Sequence, residues 1–190
     1  MEGGNERRMD EQEIIAGCLK GAPDSCRRMV DAFGGLVMAT AVNILGNRQD
    51  AEDVWQETFL QVFRNIERYD PSRSFKTWLL AIAYRRSVDM IRKKRRFKAF
   101  ATRAVFEQAP ALNGGDPNPG DPEPLPSALL GKLTAKERTA LCLWANEGYT
   151  ARDISGVLEC SASTARVYLF NARRKIKALL ENDHGILQNG

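Results

Sequence analysis

Residues 50–63 read DAEDVWQETFLQVF, in which Asp50, Glu52, Asp53 and Glu57 are interleaved with Trp55, Phe59 and Phe63. Paired carboxylates can serve acid–base catalysis or hold a metal. Here no His, Cys or polar cradle accompanies them, and the single histidine of the chain is the distant His184. At about 100° per residue the stretch resolves into two helical faces. Trp55, Phe59, Val62, Phe63 and Ile66 share one, a core face. Asp53, Gln56, Glu57 and Leu60 share the other, with Asp50 at its edge. An acidic patch around an exposed leucine suits contact with a protein rather than with DNA.

Two other stretches suit a polyanion. From Phe75, the run FKTWLLAIAYRRSVDMIRKKRR sets Phe75, Trp78, Leu79, Ile82 and Ala83 on one side and crowds cations from Arg85 to Arg96. Aromatics can stack on unpaired bases while Arg and Lys follow phosphate, although Phe75 and Leu79 taken alone read as core. The second stretch, ARDISGVLECSASTARVYLFNARRKIKALLE from Ala151, reads as helix, tight turn, helix. Ile154 and Leu158 pack the first helix, Ser155 lets the helices approach, Cys160 fills the turn and Ser161 caps the second helix. Ala165, Leu169, Ala172, Ile176 and Leu179 form an inward stripe. Ser163, Thr164, Arg166, Val167, Phe170, Asn171, Arg173 and Arg174 then face outward, with hydroxyls and an arginine placed for base edges and phosphates. Glu159 stands where such turns usually have glycine, and Ala165 is smaller than the usual Val or Ile.

Composition agrees with this division. The 190 residues carry 28 Lys and Arg against 24 Asp and Glu, a net charge of +4 gathered largely in RKKRRFK and RRKIK. No apolar stretch reads as a membrane span, and MEGGNERRMDEQE lacks the apolar core of a signal peptide, so the expected location is cytoplasmic. Cys18, Cys26, Cys142 and Cys160 form no CxxC pair and read as small hydrophobes in a reducing compartment. No metal, cofactor or small-molecule substrate is expected, and no enzyme.

The elements that must hold these side chains are helical. Periodicity predicts helices from about Asp10 to Lys20, Asp24 to Leu45, Gln49 to Glu67, and from Phe75 onward. Gly34-Gly35 challenges the continuity of the second. EQAPALNGGDPNPGDPEPLP at 107–126 cannot bury enough apolar surface to order itself and reads as a flexible linker. After it, LTAKERTALCLWANEG predicts a helix with Thr134 as N-cap and Glu137 completing a capping box. The expected fold class is all-α: two small helical domains joined by that linker.

In this order the motifs resemble those of bacterial sigma factors, in the extracytoplasmic-function (ECF) group of the sigma-70 family. DAEDVWQETFLQVF, then YDPSRSFKTWLLAIAYRRSVDMIRKKRR, then LTAKERTALCLWANEGYTARDIS carry the resemblance, which spans residues 9 to 181. It implies a tail at 1–8, region 2 at 9–97, a linker at 98–126, region 4 at 127–183 and a tail at 184–190. It also implies a protein that binds core RNA polymerase and directs promoter-specific initiation. Asp50, Asp53, Gln56, Glu57 and Leu60 would meet core polymerase. Tyr69, Arg73, Phe75, Lys76, Trp78, Tyr84, Arg85, Arg86, Arg92, Lys93, Arg95 and Arg96 would serve the −10 element. Ser161, Ser163, Thr164, Arg166, Val167, Phe170, Arg173 and Arg174 would serve the −35 element. The partners implied are core RNA polymerase, promoter DNA and an anti-sigma factor, without membrane insertion.

The departures carry expectations of their own. Arg85 replaces an asparagine common among relatives. Ala81 and Ile82 stand where primary sigma factors have a tryptophan wedge, which implies weaker intrinsic melting. A helix-turn-helix repressor or activator working without polymerase is the alternative, and it leaves the acidic face and the fourth helix without roles.

Overall fold

The computed structural model describes the backbone of residues 3–102 and 131–187, and side chains over 10–97, 131–145 and 148–181. The fold is all-α: two small helical domains, with no strand among the described residues. The first comprises α1 (Gly3–Leu19), α2 (Pro23–Leu45), α3 (Arg48–Asn65), a 3₁₀ turn (Ile66–Arg68) and α4 (Phe75–Thr102). The second comprises α5 (Ala135–Glu147), α6 (Ala151–Leu158) and α7 (Ala162–Leu187).

Several boundaries differ from expectation. Helix α1 begins at Gly3, so residues 3–8 are helical rather than a tail, and α4 continues through 98–102 into the expected linker. The rest of that linker, 103–126, lies outside the described residues, as do 188–190 of the expected tail. Helix α2 is also long and apolar enough to cross a membrane by length and composition, contrary to the sequence expectation. It is instead the core helix of the first domain. Met29, Phe33, Val37, Ala41 and Ile44 are buried along it, and it packs on α3 and α4.

Gly34-Gly35 does not break α2, and a specific contact explains Gly34. Trp55 Nε1 of α3 donates to the Gly34 carbonyl at 3.0 Å, and a Cβ at Gly34 would lie 3.3 Å from that nitrogen. The glycine costs helix propensity but lets a bulky indole lie against backbone. Around it, Phe33, Phe59, Val62, Phe75, Leu79 and Ile82 form the main core. Buried Thr58 and Ser87 keep their hydroxyls satisfied on the carbonyls of Val54 and Ala83.

Local capping fixes the second domain. Thr134 and Glu137 form the expected capping box, with Thr134 N donating to Glu137 Oε2 at 2.8 Å. A second box, Thr150 with Asp153, starts α6, and Ser161 Oγ accepts from Thr164 N at 3.1 Å at the start of α7. Glu137 also holds Lys175 of α7, whose Nζ donates at 2.8 and 2.9 Å, so this buried carboxylate ties two helices together. Burial alone would push its pKa up. The Lys175 ammonium and the Thr134 N–H and hydroxyl overcome burial and hold it below the ordinary glutamate range.

A depressed folded pKa contributes stability that is present above the unfolded value and lost as pH falls through the folded one. Glu137→Gln is therefore expected to cost about 2 kcal/mol at neutral pH and to flatten the acid limb of the stability profile below the ordinary glutamate pKa. Urea melts from pH 7 downward check this; a variant whose acid limb matches wild type removes Glu137 from the account.

The four cysteines are free. Burial pushes the Cys18 thiol up to about 12, with neighbouring Cys26 adding to the rise, and burial does the same at Cys142. Both are unreactive as nucleophiles near neutrality.

Candidate nucleic-acid and protein interfaces

Helix α3 presents the acidic face. Asn47 caps it by accepting from Asp50 N at 2.8 Å, which fixes where the helix begins and hence which residues point outward. Ala51, Val54, Thr58, Phe59 and Val62 turn inward, while Asp53, Gln56, Glu57 and Leu60 are exposed. Asp50 lies apart from them. Its side chain is only 14% exposed and pairs with Lys94 of α4 as well as with Asn47. Asp53, Gln56 and Glu57 line one side of an open groove, whose other side is Arg86, Asp89, Lys93 and Arg96 of α4. The acidic face therefore adjoins a basic one, a neighbourhood that α3 alone does not reveal.

The loop before α4 is built by short-range bonds. Tyr69 Oη donates to the Arg73 carbonyl at 2.6 Å, and Ser72 N donates to Asp70 Oδ1 at 2.9 Å. The Ser72 bonds hold the exposed Asp70 carboxyl below its ordinary range. Tyr69 stacks edge-on to Phe75 at 5.2 Å and lies 5.5 Å from Trp78.

The structure divides the expected −10 residues. Arg73, Lys76, Arg85, Arg92, Lys93, Arg95 and Arg96 are exposed, Tyr69 and Trp78 are half-buried, and Arg86 is held by Gln61 Oε1 at 2.7 Å. Phe75 is fully buried, wedged between Phe33 and Tyr69, so it is a core residue and cannot touch a base here. Tyr84 is 7% exposed because the second domain covers it. Ala81 and Ile82 are buried too, so an aromatic pair grafted there would overpack the interior before it could act as a wedge.

The second helix of the helix-turn-helix, α7, shows the expected outward face. Ser161, Ser163, Arg166, Val167, Phe170, Arg173 and Arg174 are exposed and Thr164 is half-buried, while Ala165 and Ala172 are fully buried inside. Ser161 Oγ is within 2.8 Å of both Ser163 Oγ and Thr164 Oγ1, so the helix start gathers three hydroxyls. Two of its cations lean on aromatic rings: Arg173 over Trp144 at 4.8 Å and Arg174 over Phe170 at 6.0 Å. Sequence reasoning missed the shallow apolar groove between α5 and α7, lined by Leu141, Trp144, Ile176 and Leu180. The signal was Trp144, an exposed tryptophan at the last turn of an amphipathic helix.

A basic, exposed helix-turn-helix in one domain and an acidic, leucine-bearing face in the other define a class of helical protein suited to meet both DNA and a protein partner. Comparison with known proteins gives the class a family. Residues 29–97 match Sigma-70 region 2, and residues 127–176 match Sigma-70, region 4. The chain is 30% identical over 185 residues to the RNA polymerase sigma factor CnrH of Cupriavidus metallidurans, covering 92% of this chain and 96% of that one. It is 30% identical over 169 residues to the ECF sigma factor SigE of Mycolicibacterium smegmatis, covering 84% of this chain but spanning only 63% of SigE. In fold it is similar to the sigma factor RpoE of Bartonella quintana, solved with the anti-sigma factor NepR. That likeness has a TM-score of 0.66 at 21% identity, over 82% of this chain and 96% of RpoE. The chain belongs to the ECF group of the sigma-70 family. Sigma factors bind core RNA polymerase and promoter DNA and direct promoter-specific initiation.

Proposed function

We propose that this chain works in the cytoplasm as a dissociable, non-enzymatic specificity subunit, and that it divides the task by surface. Asp53, Gln56, Glu57 and Leu60 anchor it to core polymerase. The exposed cations of α4, with the loop from Tyr69 to Ser74 and Lys76, serve the −10 element. The outward face of α7 reads the −35 element. An anti-sigma factor binds it, as NepR is bound in the complex of the similarly folded RpoE. The observation that carries this reading is the pairing of an acidic, leucine-bearing face on α3 with an exposed, basic helix-turn-helix on α7. A repressor needs only the second.

Promoter-specific run-off transcription with purified core polymerase tests it. Transcripts that require both core and chain are expected. Specific duplex binding by the chain alone, with no core-dependent transcription, would replace the reading with that of a repressor.

Within α7, Arg166→Ala is expected to weaken −35-dependent binding by about 1–3 kcal/mol if its guanidinium makes two bonds to a base. Titrating core plus chain against promoters with intact and scrambled −35 elements checks this. A uniform loss on both would make Arg166 a phosphate contact.

A further inference from the structure

Helix α4 holds nine lysines and arginines but a single carboxylate, Asp89. It follows Arg85 by four residues and precedes Arg92 by three and Arg96 by seven, so at about 100° per residue the four share one stripe. All four are exposed. A carboxylate on a stripe that meets phosphate repels it and weakens binding to every sequence alike. Local pairing does not explain its presence. The carboxylate accepts from Arg92 Nη1 at 3.5 Å, the limit for a hydrogen bond, and the two side chains are 59% and 71% exposed. Exposed pairs of this kind stabilise a helix little. A donor on a base edge does explain it, since a carboxylate accepts from the exocyclic amino group of cytosine.

Arg85, one turn earlier, presents a fork. Its Nε donates to Glu159 Oε2 at 3.0 Å while a terminal nitrogen donates to Oε1. The guanidinium thus offers two parallel N–H groups to two acceptors that lie side by side. Guanine O6 and N7 form such a pair, and arginine against them is the commonest base-specific contact. Both atoms face the major groove, and both stay open when the strands part. A phosphate also offers paired oxygens, but Asp89 one turn away disfavours it at this end of the stripe. The unbroken run of five cations at 92–96 is the stronger phosphate ligand.

We infer that Arg85 and Asp89 are the specificity residues of α4. Arg85 selects guanine in the −10 element, and Asp89 selects a nearby base with an amino group on the same edge, cytosine or adenine. The inference rests on the reading of α4 as the −10 helix. Four helical residues rise about 6 Å, close to two base steps of about 3.4 Å, so the two bases lie within two positions of each other. The cations from Arg92 to Arg96 hold the backbone whatever the sequence.

Transcription by purified core polymerase with the full-length chain tests this, from a promoter pool randomised across the −10 element and barcoded in the transcribed region. Wild type is expected to enrich guanine at one position by about 5- to 150-fold, the range for one bidentate pair, and cytosine or adenine within two positions of it. Arg85→Ala should flatten the first preference and keep the second, and Asp89→Ala should do the reverse. Arg85→Lys keeps the charge but not the fork, so it should retain only part of the guanine preference. Replacing that guanine by 7-deazaguanine, which lacks the N7 acceptor, should lower transcription by wild type and make no difference to Arg85→Ala. Glu159→Gln removes the carboxylate beside Arg85 and should leave both preferences as they are. No guanine preference in wild type, one that survives Arg85→Ala, or one that Glu159→Gln alters would each overturn the assignment of Arg85. An even loss of yield at every sequence, restored by Arg85→Lys, would make Arg85 a phosphate contact and overturn it too. An Asp89→Ala variant with wild-type preferences would overturn the assignment of Asp89. Absent core-dependent transcripts from the whole pool would instead overturn the sigma-factor reading, and this inference with it.

Discussion

Reversing the charge at Asp53 and Glu57 together is expected to abolish binding to core RNA polymerase while leaving the fold intact. Both side chains are exposed one helical turn apart on α3, and neither joins an ion pair among the described residues. Lysine is at least as good a helix former as aspartate or glutamate, so helix propensity itself costs the free chain nothing. A close charge pair at an interface is worth about 1.5–7 kcal/mol in coupling. Two reversals turn attraction into repulsion, and a loss of at least about 100-fold in affinity follows. Arg86, Lys93 and Arg96 lie across the groove, so the new lysines also face like charge within the free protein. The neutral pair Asp53→Asn with Glu57→Gln separates the two effects, because it removes attraction without adding internal repulsion. Fluorescence titration against purified core, beside a thermal melt of each variant, is the measurement. Unaltered affinity with an intact melt would remove this face from the polymerase contact.

The contrast between α3 and α4 shows what could be read from residues alone. On α3 the apolar positions fall on a single side, so periodicity separated Phe59 and Val62 from Asp53 and Glu57, and the structure keeps them on those sides. On α4 the segment WLLAIAY is apolar nearly all round, which marks a helix buried on more than one side. Reading only its strongest stripe found Leu79 and Ile82, which pack the first domain. It passed over Leu80, and Tyr84 was assigned to the −10 element; both pack against the second domain. Domain packing was illegible for the same reason. It depends on Arg138 meeting a backbone carbonyl 94 residues away, and no local period encodes such a pairing. Caps were the opposite case. Thr134 with Glu137 follows from spacing alone, and Thr150 with Asp153 could have been found by the same rule with aspartate in place of glutamate.

Phe75→Ala is expected to destabilise the first domain by about 3–5 kcal/mol, a large share of the roughly 5–15 kcal/mol that holds a domain folded. The side chain opens α4 and is fully buried, among the largest such in the protein. Its ring lies 5.2 Å from Phe33, 5.2 Å from Tyr69 and 5.7 Å from Trp78. Truncation leaves a cavity bounded by three aromatic rings fixed on three different elements, so the site cannot collapse to fill it. Tyr69 loses its edge-on partner, and with it the support of the loop whose Arg73 carbonyl accepts from the Tyr69 hydroxyl. Transcription from any promoter then fails because region 2 is damaged, not because a base contact is lost. The neighbouring Lys76 is exposed. Lys76→Ala should leave stability within about 0.5 kcal/mol while weakening DNA binding in a salt-dependent way. Urea unfolding separates the cases, since Phe75→Ala should lower the midpoint with little change in slope, and Phe75→Leu should recover most of the loss. A Phe75→Ala variant as stable as wild type that still fails to open a −10 element would return the ring to the DNA.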